Sequence, residues 1–229
     1  MDDDVPAFAG RRIREMLTMS YLFTRSVQLA RTNLLDSMAW SVKITEKVNT
    51  IAETPVLLWS SLMSPDLGRL TWSTAVEDLS TVTTMQDKLT ADPGYLELVE
   101  EGTRFTGGTA TDGLVRFVHA DRDGVATAQF STVVRAVIAP GAFVDGTVLG
   151  VEIAERAKAI TGRPTSFGTS QSGVYGEVGW IALYDSIDQV QAASEALAAD
   201  ADFAKLLDHK ASKAYIAGAS TQVINRRVA

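Results

Sequence analysis

Apolar and polar residues alternate along "FTRSVQLAR" (23–31), the period-two pattern of a strand with one face buried. Asn33 follows, with Asp36 three residues on, an arrangement that predicts an N-cap and a helix from Leu34 to about Ala52. Thr54-Pro55 ends it, because proline disfavours helical geometry in the residue before it. Two further apolar runs, "VLLWSSLM" and "RLTWSTAVE", flank "SPDLG", whose residues favour a turn, so a hairpin is expected. Asp78 then reads as an N-cap for a helix carrying Leu79, Val82, Gln86 and Leu89, with a second helical piece near Gly94–Gly102. "GLVRFVHA" reads as a closing strand.

The same plan recurs. "LTADPGYLELVEEG" from Leu89 and "LAADADFAKLLDHK" from Leu197 lie 108 positions apart, and that spacing also pairs Asp92 with Asp200, Tyr95 with Phe203, and Trp72 with Trp180. "FSTVVRAVI", a helix ending at Gly162, "TSFGTS", a turn at "QSG", "VYGEVGWIALYD", a helix from Ser186 and "TQVINRRVA" repeat the strand, helix, strand, strand, helix, strand order. The predicted organisation is an arm (1–20), a first unit (21–120) and a second unit (121–229), with the seam at "DRDG" (121–124). Each βαββαβ unit is a ferredoxin-like α+β unit, an antiparallel sheet with both helices on one face. Pairing the bare sheet faces within one chain gives an intramolecular α/β-barrel, which loop-closure entropy favours over pairing between chains.

Composition narrows the chemistry. The 229 residues include 46% apolar side chains, enough for a substantial core. There is no cysteine, which removes disulfides, thiolate metal sites and thiol nucleophiles. His119 and His209 are the only imidazoles, too few for a multi-histidine metal site, and no metal ligand set is expected. The net charge of −7 argues against a nucleic-acid partner, and no apolar run is long enough to cross a bilayer, so a cytoplasmic protein without a membrane partner is expected. "RRIREML" in the arm reads as an amphipathic helix suited to packing on a neighbouring subunit, and a homo-oligomer is expected.

"LTWSTAVEDLSTVTTMQDKLTADPGYLEL" resembles the second half of a dimeric α/β-barrel domain of the NIPSNAP and antibiotic-biosynthesis-monooxygenase type, and "GWIALYDSIDQVQAASEALAADADFAKLL" is a looser instance without the proline. The resemblance spans residues 21–229 as two tandem copies. It implies a small-molecule pocket and, within a diverse group, a cofactor-independent monooxygenase or cyclase acting on an aromatic or polyketide-like substrate held in the barrel. Haem-binding relatives imply an alternative, with His209 as the axial ligand. A non-catalytic assembly protein is a third reading.

Several side chains are candidates for that chemistry. His119, at a strand end, could serve as a general base, although a solvent-facing imidazole is the plainer role. Arg25, Arg31, Arg116, Arg135 and Arg226 lie in predicted strands, and Arg31 and Arg135 are the candidates for stabilising a phenolate or enolate; solvated strand ends are the alternative. Trp72 and Trp180 could stack on a ligand, although their equivalence favours a role in the fold. Trp40 opposite Leu149 and Trp59 opposite Gly168 break the symmetry, and so could leave one unit open and the other plugged. His209 falls outside the apolar arc of its helix. "TGGTATDG" follows a helix and precedes a strand, so it presents no helix N-terminus to a phosphate.

Overall fold

The structure is a computed structural model and describes residues 21–30, 33–121 and 125–229. The arm, Arg31 and residues 122–124 of the seam lie outside the described residues. The first half contains β1 (Tyr21–Gln28), α1 (Leu34–Ile51), β2 (Leu57–Met63), β3 (Arg69–Val76), α2 (Leu79–Thr90), α3 (Pro93–Gly102) and β4 (Thr111–His119). The second contains β5 (Phe130–Val137), α4 (Phe143–Thr161), β6 (Thr165–Ser170), β7 (Glu177–Tyr184), α5 (Ile187–Ala199) and α6 (Ala201–Leu206). A π-helical turn (Leu207–Ala211), α7 (Ser212–Ala214) and β8 (Thr221–Arg227) complete it.

All eight strands join one closed antiparallel barrel in the order β1-β3-β2-β8-β5-β7-β6-β4, with β4 returning to β1. Closure leaves no sheet edge among these strands, since β2 pairs with β8 and β4 with β6 across the two halves. Directly paired residues share a face, so the register sorts side chains into lumen and exterior. Arg25 opposes Trp72 on one side and Asp112 on the other. The Trp72 indole donates to Thr45 Oγ1 of α1 at 2.8 Å, which makes this the outer, helix-covered face. Trp59, paired with Thr71 and donating to Ser73 Oγ at 2.9 Å, belongs to the lumen.

The helices form for local reasons and bury the faces that their periodicity predicts. In α1 the buried positions are Ser37, Trp40, Ser41, Ile44, Thr45 and Val48, a single stripe at helical spacing. Asp78 accepts from the Thr81 amide and Ser186 from the Gln189 amide, as N-caps should. Asn33 differs from expectation: it adopts a left-handed conformation, φ 57°, and its side chain caps nothing. Its carbonyl instead accepts from both the Ser37 amide and the Ser37 hydroxyl. No helix among the described residues is long and apolar enough to cross a membrane.

The repeated Ala-Asp motif has a shared task. Asp92 caps α3 through the Tyr95 amide and Asp200 caps α6 through the Phe203 amide, at 2.8 and 2.7 Å. Each carboxylate also meets a cation on the long helix of its own half, Lys47 at 2.9 Å and Arg156 at 3.1 Å. Lys47 chiefly, then the Tyr95 amide, lowers the Asp92 pKa; for Asp200 the Phe203 amide comes first and Arg156 second. A carboxylate with a depressed folded pKa stabilises above its unfolded value, and that contribution disappears as pH falls through the folded value. The urea midpoint should therefore decline on acidification below the ordinary carboxylate range, and less steeply in an Asp92→Asn/Asp200→Asn double variant. Identical pH slopes for the two proteins would refute this assignment.

Candidate functional site

A cavity of about 330 Å³ lies between the outer face of the first-half sheet and the helices that cover it. β1 and β3 supply its floor through Phe23, Arg25, Trp72 and Thr74, while Trp40, Met85 and Tyr95 come from the three helices. Most of the wall is therefore apolar or aromatic, with Arg25 and Asp112 adding charge. The Trp40 and Trp72 rings meet edge to face at 6.0 Å. Trp40 is held in place by its indole N–H, which donates to the Leu98 carbonyl at 2.8 Å.

Arg25 and Asp112 form a bidentate pair, Nε to Oδ1 and Nη2 to Oδ2, both at 2.7 Å. Their side chains are 37% and 43% exposed, so the pair stands between solvent and the apolar wall. Asp112 foremost, with Tyr95 contributing less, raises the Arg25 pKa against the opposing effect of burial. The guanidinium also lies 5.9 Å from the Phe23 ring centroid. A planar fork already aligned beside an aromatic wall is suited to a ligand oxyanion.

The corresponding layer of the second half is filled. Phe167 stands directly opposite Trp180 where the first half has Leu58 opposite Trp72. Trp180 is enclosed by Phe167 at 5.1 Å and Tyr215 at 5.5 Å, and its N–H donates to the Gly150 carbonyl at 2.8 Å. Gly150 is needed there, because a Cβ would overlap the Phe167 ring. Tyr215 donates to the Gly146 carbonyl at 2.7 Å, and burial pushes its phenol pKa well up.

The structure disperses the sequence candidates. Trp40 and Trp72 line the cavity together. Trp59 is a lumen residue and Trp180 is part of the second-half core, so neither reaches it. His119 follows a β-bulge and comes opposite Phe167; its Nε2 is buried without a hydrogen-bond partner among the described residues, away from the cavity lining. Arg135 is half-exposed, 4.0 Å from Glu177 on β7, and does not line the cavity either. This cavity lies outside the strand ring, under the helices, and not in the barrel lumen where a substrate was expected.

The residues do not build a haem pocket around His209. That histidine is exposed on the π-helical turn, and the sheet–helix layer of its half is closed by Phe203, Trp180 and Tyr215. Neither histidine lines the first-half cavity. No group of three or more histidine or carboxylate side chains among the described residues is placed to hold a metal ion.

Three contributors escaped the sequence candidates: Asp112, Tyr95 and Thr74. Asp112 becomes a partner of Arg25 only through the β1–β4 register. Tyr95 did carry a signal, since the residue 108 positions on is Phe203, and a hydroxyl in one of two similar segments marks an asymmetry.

No known family profile matches the chain, and no curated protein is similar in sequence. Solved structures share its fold. A candidate monooxygenase from Fusobacterium nucleatum superposes with a TM-score of 0.69 at 10% identity, covering 93% of this chain and 94% of that one. An anthrone oxidase-like protein gives 0.58 at 9% identity, covering 93% and 92%. A haem-binding protein from Thermus thermophilus gives 0.54 at 8% identity, covering 91% of each chain.

Proposed function

We propose that the protein is a small-molecule enzyme of the cofactor-independent monooxygenase or cyclase type, taking an aromatic or polyketide-like substrate into the first-half cavity. The observation that carries this reading is the Arg25–Asp112 pair set at an indole-walled cavity. The aromatic walls supply burial and stacking for a planar body, and the guanidinium supplies a site for an oxyanion. The name of one fold neighbour, an anthrone oxidase-like protein, is consistent with an enolisable aromatic compound.

The pair also suggests how charge is handled. Asp112 takes the acidic proton of the bound substrate, and as the carboxylate becomes neutral the Arg25 charge passes to the substrate oxyanion. The electron-rich carbon conjugated with that oxyanion then bonds to dioxygen, giving a peroxide that takes the proton from Asp112 and loses water as its O–O bond breaks to leave a carbonyl. Alternatively it attacks a carbonyl carbon of the substrate and closes a ring whose alkoxide takes that proton. Helices α1, α2 and α3 limit water around the intermediate. His119 and Arg135 lie away from the cavity and have no part in this scheme, and Arg31 lies outside the described residues.

The same reading treats residues 21–120 and 121–229 as copies of one ferredoxin-like unit, in the manner of antibiotic-biosynthesis-monooxygenase and NIPSNAP domains. Matching strand orders in the two halves and the paired Asp92 and Asp200 caps support it. A homo-oligomer built through the arm belongs to this proposal. The direct test is dioxygen uptake with anthrone: consumption should be faster with protein than in buffer, and slower again in Asp112→Asn. Binding of anthrone without faster uptake would make the protein a carrier of such compounds instead of their oxygenase.

A further inference from the structure

One buried group in the cavity wall is left unsatisfied by the fold. Thr74 is 3% exposed, and its hydroxyl has no hydrogen-bond partner among the described residues. Other hydroxyls that line the cavity or bond to its lining are engaged: Thr45 donates to the Ser41 carbonyl and accepts from Trp72, Ser73 accepts from Trp59, and Thr106 donates to the Gly102 carbonyl. Buried polar groups are nearly always paired, so an orphan lining a cavity indicates a partner supplied from inside that cavity.

The register places this hydroxyl relative to Arg25. Thr74 pairs with Phe23, and Arg25 pairs with Trp72, so Thr74 and Arg25 are diagonal neighbours on one face. Their Cα atoms are thus about 7–8 Å apart. The Arg25 guanidinium is drawn toward Asp112 on β4, the strand on the opposite side of β1 from β3. A ligand reaching both anchors would be a rigid, planar aromatic molecule with polar oxygens at its two ends.

We infer that Thr74 is a second polar anchor of the cavity, and that the ligand class is an aromatic compound with an anionic oxygen for Arg25 and a neutral hydroxyl or keto oxygen for Thr74. This rests on the reading of the cavity as the substrate site, and makes Thr74 a specificity-determining residue. A ring lacking the second oxygen leaves the threonine hydroxyl unpaired and binds less well.

Calorimetric titration with cinnamate and para-hydroxycinnamate tests it, using the wild type, Thr74→Val, Thr74→Ser and Arg25→Leu. The wild type should bind the hydroxylated probe roughly five- to tenfold more tightly, the ratio expected from one added hydrogen bond. Thr74→Val should erase that preference without weakening cinnamate, and Thr74→Ser should keep it. Thr74→Val should also melt at a higher temperature than the wild type in the absence of ligand, since the orphan hydroxyl is gone. If the wild type binds both probes equally, or Thr74→Val keeps the preference, the inference about Thr74 is overturned while an Arg25-dependent cavity stands. If neither probe binds the wild type, the cavity reading itself fails and takes this inference with it.

Discussion

Truncating Phe167 to alanine should lower the unfolding free energy by about 3–5 kcal/mol, the range for removing a large aromatic from a closed core. Phe167 is 0% exposed and lies 5.1 Å from Trp180. Collapse cannot fill the space cheaply, because Trp180 is already tied to the Gly150 carbonyl and Tyr215 to the Gly146 carbonyl. The cost should appear as a lower urea midpoint with an unchanged slope. Ligand affinity in the first half should remain at the wild-type level, since Phe167 is absent from that cavity's lining. A loss under about 1 kcal/mol would mean that the second-half layer is less tightly packed than its aromatic cluster indicates.

Replacing Arg25 with leucine should weaken binding of aromatic carboxylates by about 10- to 100-fold, the worth of a charge-assisted hydrogen-bonded contact. Neutral aromatic compounds of similar size should bind the variant as well as the wild type or better, because leucine extends the apolar wall. The change in stability should be small: the pair is partly exposed, and Asp112 left alone can still be solvated. Titration of one carboxylate and one neutral isostere against both proteins separates the two effects. Equal weakening of both ligands would show that Arg25 shapes the cavity without reading charge.

The asymmetry between halves was partly legible in the sequence. Trp40 against Leu149 and Tyr95 against Phe203 are differences between otherwise matching segments, and both first-half members line the cavity. The inference that one half is open and the other plugged therefore had a basis in side-chain type. Its other basis, Trp59 against Gly168, lies on the lumen side and does not touch the cavity. Strand periodicity shows that Trp59 and Leu58 point opposite ways, but not which of them lies under a helix.

Local chemistry determined the elements. Helical spacing placed the α1 stripe, Asp78 and Ser186 placed helix starts, and alternation placed the strands, because each signal depends on neighbours a few residues away. The Asn33 cap failed because the backbone there is left-handed, φ 57°, and not the extended conformation from which a capping side chain reaches the first-turn amides. Only the tertiary structure decided that Arg25 meets Asp112, that Thr74 is left unpaired beside them, and that Phe167 closes one sheet–helix layer while Leu58 helps leave the other open. Those outcomes depend on strand register and barrel closure, which join residues as far apart as the 87 positions separating Arg25 from Asp112.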